Sequence, residues 1–234
     1  MKNKTELLLF CALTTCSTLG WAGTNTKADY QSFIPKNWKV LSKVQGDLNG
    51  DQQADLALII ENTDPKNIVT NESLGNPQLN LNNRKLLILF KTPQGYRLVA
   101  SNSKLPTEGD QESPCLTDPL GGGEPLTIKN GLVKINLHYW LSCGSWSVYN
   151  NAFTFRYQNQ SFKLIGYDTD YFHRASGETS AKSINFLTGK IKNTTGGSAF
   201  ENQDQAKQVS WSKLKNSYSL KLEQINFKDY GEFE

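Results

Sequence analysis

The clearest chemical pattern in this chain is a short run of oxygen-bearing side chains at alternate positions. The spacing is that of a calcium loop, in which alternate positions supply the ligands. Positions one, three and five are Asp47, Asn49 and Asp51. Position seven is the peptide carbonyl of Gln53, and position nine is Asp55. Ca²⁺ takes six to eight oxygen ligands at about 2.3–2.6 Å from flexible groups. We therefore predict that these five residues bind Ca²⁺ as a structural cofactor.

Two positions of the loop depart from a helix–loop–helix calcium site. Gln52 stands where glycine normally allows the sharp turn, and Leu58 stands where an EF-hand supplies a bidentate glutamate. The loop leads instead into the apolar run Leu56–Ile60, which predicts a buried strand. An alternative interpretation is that Asp and Asn form a solvated turn before this strand by bonding their own backbone.

The loop and its strand resemble a single FG-GAP or VCBS-type repeat. In that family the acidic loop binds Ca²⁺ and the repeats form propeller blades. The resemblance covers about residues 44–61, and a propeller is not expected because the sequence has no second copy of the loop. A wider resemblance, through Phe33–Lys36, Thr154–Asn159 and Leu164–Asp168, is to exported bacterial proteins without an assigned activity.

The N-terminus has the pattern of a secretory signal peptide over residues 1–22. Lys2 and Lys4 precede an apolar segment at residues 7–13, and small residues follow. That segment is too short to span a bilayer core of about 30 Å, and no later run reaches the roughly 20 apolar residues of a membrane helix. We expect no transmembrane segment, and a mature soluble chain in the bacterial periplasm or medium.

A competing interpretation of the same segment is a lipoprotein signal that leaves Cys16 acylated. Thr15, which precedes it, is larger than the glycine or alanine expected at that position.

The 25 basic and 22 acidic residues nearly balance, and no basic cluster suits phosphate neutralisation. We therefore expect no nucleic-acid partner.

Two cysteines, Cys115 and Cys143, remain beyond the signal region. In an oxidising compartment they are expected to form a disulfide. The alternative, a nucleophilic Cys143 activated by His138, requires a reduced thiol and a nearby base.

The hydrophobic periodicity is that of short strands joined by turns, and Asn130-Gly131 is a strong hairpin signal. We predict a mostly β fold, an antiparallel meander of hairpins that is sandwich-like or strongly twisted, with few short helices. Residues 23–234 are predicted to form a single domain with long loops near 62–84, 101–124 and 193–208. The predicted strands are 56–61, 85–91, 96–100, 126–129, 132–140, 152–157, 162–167, 180–187 and 189–193.

Few residues suggest catalysis. Asp168 and Asp170 could form a glycosidase pair, but no second carboxylate facing them is evident from the sequence. Trp146 and Tyr149, in the segment 142–151 predicted to be irregular, are the best candidates for an exposed ligand surface. We predict a non-enzymatic binding protein whose partner is a protein or a glycan; the alternative is a periplasmic glycan-active hydrolase.

Overall fold

The computed structural model describes residues 29–200, 206–228 and 233, and the predicted signal peptide and Cys16 lie outside them. The smaller of its two main sheets is antiparallel and has four strands in the order β1-β2-β5-β6. A separate short hairpin, β3–β4, is inserted between β2 and β5. These strands are β1 (Trp38–Gly46), β2 (Asp55–Asn62), β3 (Ile68–Thr70), β4 (Gln78–Asn80), β5 (Arg84–Thr92) and β6 (Gly95–Asn102).

The larger sheet is an uninterrupted antiparallel meander of seven strands, in which each strand pairs with the next along the chain. This arrangement confirms the predicted β-rich fold of consecutive hairpins. The strands are β7 (Leu126–Lys129), β8 (Leu132–Trp140), β9 (Ser147–Gln158), β10 (Ser161–His173), β11 (Thr179–Asn185), β12 (Lys190–Thr195) and β13 (Gln208–Lys213).

The two sheets share one core, which explains the periodicity of their strands. In β8, Val133, Ile135 and Leu137 are buried and alternate with more exposed residues, so this sheet has one face on the core and one outer face. β2 is buried almost throughout, because the outer face of the smaller sheet is also covered. Tyr30, Phe33, Ile34, Trp38 and Tyr96 pack on that face.

Several sequence predictions require correction. The sequence did not predict β1, where apolar positions are exposed, or β13, where every residue is exposed. The predicted loop at residues 62–84 contains the β3–β4 hairpin. Tyr149 does not lie in an irregular segment, because β9 already begins at Ser147. Within the described residues, helical structure is limited to three 3-10 turns, at Tyr30–Phe33, Pro65–Asn67 and Leu222–Gln224.

Two contacts fix the long segment between β6 and β7. Cys115 and Cys143 form the predicted disulfide, with their Cα atoms 5.4 Å apart. The buried Arg84 guanidinium donates from both terminal nitrogens to Asp118, at 2.6 and 2.8 Å. Its Nε donates to the buried Glu61 carboxylate at 2.6 Å. The segment is thus anchored to the smaller sheet by charge and to the end of β8 by a covalent bond.

Among the described residues, no helix is long and apolar enough to cross a membrane.

Candidate functional site: a polar hollow on the larger sheet

The outer face of the larger sheet contains a hollow of about 240 Å³. Its floor is formed by β8, β9 and β10, and the segment 119–125 forms one wall. The lining includes the acidic residues Glu124, Asp168 and Asp170. Together with asparagine, lysine and histidine side chains, they make the hollow rich in hydrogen-bonding groups.

The strand register places three polar side chains side by side across the floor. His138 pairs with Asn150, and Asn150 pairs with Asp170. The His138 Nδ1 and the Asn150 Oδ1 lie 2.6 Å apart, and the Asn150 Nδ2 donates to the Asp170 Oδ2 at 2.7 Å. These contacts form a continuous relay that holds each side chain in one orientation.

A second row lies two residues along the same strands. Here Asn136, Ala152, Asp168 and Ser183 are aligned by the register. The Ser183 hydroxyl donates to the Asp168 Oδ1 at 2.6 Å, and the Lys134 Nζ lies 3.9 Å from the Asp168 Oδ2. Ala152 separates larger polar neighbours, so its small side chain leaves room between them.

A bulge in β10 produces this arrangement. The pairing of β10 with β9 shifts between Leu164 and Gly166. Before the shift Leu164 is buried in the core, and after it Tyr167 is buried there. Because the bulge inserts one residue, Asp168 and Asp170 point to the outer face.

The wall of the hollow packs closely on its floor. A Cβ added to Gly122 would lie 2.5 Å from the His138 Cβ, so only glycine allows this approach. The Asn136 Nδ2 donates to the Glu124 carbonyl at 2.8 Å. Asp118, held by Arg84, directly precedes the wall, and its carboxylate also accepts the Leu120 N–H at 2.9 Å. The buried ion pair therefore positions one side of the hollow.

The predicted carboxylate pair is thus found in the hollow and not on a turn. Asp168 and Asp170 are two residues apart on one strand face, which separates their Cα atoms by roughly 6.5 Å. Each carboxylate already accepts a hydrogen bond, from Ser183 and Asn150 respectively. The residues that line the hollow include no phenylalanine, tyrosine or tryptophan.

The two predicted surface aromatic residues are both exposed, and each lies beside a different neighbour. Trp146 is 61% exposed and lies beside Arg174, whose guanidinium carbon is 5.5 Å from its ring centre. Tyr149, 43% exposed, lies on the core-facing side of β9, and its ring centre is 5.2 Å from that of Tyr171. Trp146 precedes β9 and Tyr149 lies within it, and a ligand surface formed by these rings stays a prediction.

The predicted calcium loop forms a compact turn between β1 and β2. The Asp47 carboxylate accepts the backbone N–H groups of Asn49, Gly50 and Gln52, at 3.2, 2.7 and 2.9 Å. These bonds, led by that from Gln52, hold the pKa of Asp47 below its usual value. Gln52 has a φ of 64°, so it adopts the left-handed conformation that the loop pattern normally assigns to glycine.

Asp55 differs from the other loop residues because it is fully buried. Its Oδ2 accepts the Leu48 N–H at 3.0 Å, and its Oδ1 accepts the Lys91 N–H at 2.8 Å. Burial raises the pKa of Asp55, and the negative charges of Asp51 and Asp47 add to this effect. The carboxylate therefore joins the loop to β5 and lies within electrostatic range of the other two.

Asn49 and Gln53 complete the loop through contacts with Asp51. The Asn49 Nδ2 donates to the Asp51 Oδ2 at 3.0 Å, and the Gln53 N–H donates to the Asp51 Oδ1 at 2.8 Å. The described part of the chain has no group of three or more acidic, histidine or cysteine side chains arranged to hold a metal. Calcium binding stays a prediction.

Comparison of the chain with protein families, characterised proteins and solved structures finds no match. The resemblance of the loop to an FG-GAP or VCBS-type repeat has no support beyond the residues that suggest it.

Sequence reasoning did not identify Glu124, Asn136 and Asn150 as site residues. Their positions in the strands could have indicated a shared outer face. Asn136 and His138 alternate with buried residues in β8, and Asn150 lies just before the alternating part of β9. Polar side chains at successive outward positions of neighbouring hairpin strands indicate a polar surface. Only the register shows which of them meet.

Proposed function

We propose that the protein is an exported, non-enzymatic binding protein that holds a polyhydroxylated ligand of the glycan class in the polar hollow. The observation that carries this proposal is the His138–Asn150–Asp170 relay, held on three rigid strands. Amide, carboxylate and imidazole groups can donate and accept the hydrogen bonds that sugar hydroxyls require. Groups fixed in advance lose little entropy when the ligand binds.

Export is supported by the N-terminal signal pattern and by the disulfide. Structural disulfides persist in oxidising compartments and are rare in the cytosol of most organisms. The bacterial periplasm or the medium is therefore the proposed location.

The proposal is tested by isothermal titration of the oxidised mature chain with a panel of neutral oligosaccharides. Asn150→Ala breaks both bonds of the relay, which are exposed in the free protein. It should weaken binding by about tenfold or more, since a bound ligand would bury the remaining polar groups and each one left without a partner costs about 1–3 kcal/mol. Thr194→Ala, on the outer face but outside the hollow, is the matched control and should bind as the wild type does. Equal affinities for Asn150→Ala and wild type would place the ligand elsewhere.

A glycan-active hydrolase is the second candidate, because Glu124, Asp168 and Asp170 line the same hollow. Hydrolysis of glycosides requires two carboxyl groups about 5–9.5 Å apart across the scissile bond. Release of reducing ends from a bound oligosaccharide, abolished by Asp170→Asn while binding persists, would establish catalysis. Binding without any product favours the non-enzymatic function.

We also propose that the loop at Asp47 binds Ca²⁺ with a structural role. Three observations support it: the alternating ligands, the left-handed Gln52, and the mutual repulsion that adds to the raised pKa of Asp55. Asp47, Asn49, Asp51, Gln53 and Asp55 would hold the ion. A cation there would neutralise the carboxylates and fix the connection between β1 and β2.

A further inference from the structure

Among the described residues β13 is an edge strand of the larger sheet, and with β12 it carries a cluster of basic and apolar side chains. The register of β12 and β13 aligns Lys190 with Lys213, Lys192 with Trp211, and Thr194 with Val209. Ile191, between the two β12 lysines, is buried in the core, so Lys190, Lys192, Lys213, Val209 and Trp211 share the outer face. We call these five residues the basic edge.

The positive charges of the basic edge repel one another when no partner is bound to it. Lys190 and Lys213 lie directly opposite each other, and like charges in this position destabilise a strand pair. Lys192 adds a third positive charge two residues along the same face. Within the described residues, no ion pair involves any of the three lysines. An anionic surface would relieve this repulsion.

The apolar side chains of the basic edge point to the kind of anionic surface. Trp211 is 65% exposed and Val209 is 52% exposed. Leu187, in the turn that leads to Lys190, is 53% exposed. Lysines alone are a common protection of sheet edges against pairing. Exposed tryptophan, valine and leucine beside them add no such protection, and together they match the composition of a membrane-interface site.

We propose that the basic edge docks the protein onto the surface of an anionic lipid bilayer. Trp211 and Val209 enter the headgroup region, and the lysines extend their ammonium groups to the lipid phosphates while their alkyl stems lie along the apolar boundary. Lipid is favoured over an acidic polysaccharide because the apolar side chains project from a free edge and need an apolar phase to enter.

Docking through this edge leaves the polar hollow accessible. β13 is three strands from β10, which carries Asp168 and Asp170. Adjacent strands rotate by roughly 20–25°, so the two regions of the face are turned from each other by roughly 60–75°. The acidic hollow therefore does not press on the anionic surface. The inference is independent of what the hollow binds.

The test is co-sedimentation of the oxidised mature chain with phosphatidylcholine vesicles and with vesicles in which part of that lipid is replaced by phosphatidylglycerol. We expect binding to the anionic vesicles only, with a blue shift of tryptophan fluorescence. The combined variant Lys190→Gln, Lys192→Gln, Lys213→Gln should lose roughly 100-fold in partition coefficient, given the attraction of each lysine to an anionic surface. Trp211→Ser should weaken binding and remove most of the shift.

A matched control removes the same charge elsewhere. Lys36→Gln, Lys66→Gln and Lys129→Gln, combined, replace three exposed lysines away from the basic edge. This control should bind within about twofold of wild type, because charges beyond a Debye length of about 8–10 Å contribute little. Thermal unfolding of each variant tests whether the fold is retained.

Four results would overturn the proposal. They are binding that is equal on neutral vesicles, an equal loss in the control variant, no binding to either vesicle, and sedimentation of the free chain as a dimer that Trp211→Ser dissociates. The last result would identify the edge as a contact between two copies of the chain.

Discussion

The replacement of Arg84 by methionine is expected to destabilise the protein and to release the wall of the hollow. The guanidinium is 1% exposed and bonds Glu61, also 1% exposed, and Asp118, which is 30% exposed. Burial alone would lower the pKa of Arg84, but Asp118 and Glu61 outweigh burial and raise it above its usual value. The side chain is therefore charged at every pH at which the protein is handled.

The size of the effect follows from what the variant leaves behind. Removing one partner of a buried ion pair costs about 3–5 kcal/mol, mostly because the other charge stays buried. Glu61 keeps the Lys39 Nζ at 2.8 Å and the Asn80 amide at 3.3 Å, and Asp118 can be partly solvated. We therefore expect Arg84→Met to lower the free energy of unfolding by about 3 kcal/mol, near the lower end of that range.

Urea unfolding of the oxidised chain measures this loss, with Glu61→Leu completing a double-mutant cycle. Glu61→Leu removes the charge that Arg84→Met would leave without a partner. In the Glu61→Leu background, Arg84→Met should therefore lower the free energy of unfolding by less than it does in the wild type. We expect this difference to be about 1 kcal/mol or more, within the range of about 0.5–3 kcal/mol found for contacting groups. A loss below about 1 kcal/mol for Arg84→Met would refute the reasoning, because losses of that size do not need a buried charge. Equal losses in both backgrounds would refute it too.

A local measurement separates loop release from global destabilisation. A glutamate-specific protease can cleave the anchored segment after Glu108 and Glu112, whereas the bond after Glu124 is protected by Pro125. Under native conditions Arg84→Met should be cut there faster than a core variant of equal stability, such as Ile88→Ala. Equal cleavage rates would show that the ion pair does not hold this segment.

Three further predictions concern single sites. Burial raises the pKa of Tyr167 to about 12 from 10.0, so its contribution to stability is complete below pH 10 and is lost as the pH rises towards 12; Tyr167→Phe should flatten the fall of Tm across this window. Gly122→Ala should cost about 1–3 kcal/mol in urea unfolding, because its Cβ would overlap the His138 Cβ, and an unchanged midpoint would contradict the close packing of the wall. At a Ca²⁺ concentration ten times a Kd of about 10⁻⁴–10⁻³ M, the ion should stabilise the chain by about 1.4 kcal/mol relative to EDTA; Asp47→Ala with Asp51→Ala should abolish this difference.

The strands with regular alternation were predictable from the sequence, and those without it were not. Leu126–Lys129 and Leu132–Trp140, joined by Asn130-Gly131, agree with the prediction at every boundary. Gln208–Lys213 was not predicted because an edge strand that buries no side chain has no periodic signal. Trp38–Gly46 was missed for a related reason, since its apolar residues Val40 and Leu41 are exposed.

The site was less predictable because it depends on long-range register. Local spacing was sufficient to locate the polar loop at Asp47, and the two cysteines were paired because they are the only two beyond the predicted signal region. The relay joins residues on three strands, and nothing local to His138 or Asp170 indicates that Asn150 connects them. Arg84 was missed because an arginine at the start of an apolar strand has the same local signal whether it is solvated or paired with Asp118, 34 positions away.

The neighbouring asparagines of β9 show how the core and the hollow constrain each other. Asn150 faces the hollow, while Asn151 is 2% exposed in the core and accepts the Tyr167 hydroxyl at 2.8 Å. Within the described ranges of the chain the Asn151 Nδ2 is buried without a hydrogen-bond partner, so this pair costs stability that two apolar residues would not. A slip of one residue would bring Asn150 into the core and break its bond to Asp170, since side chains alternate between faces. The Asn151–Tyr167 bond opposes that slip, and a polar group inside the core thereby helps to keep the relay on the outer face.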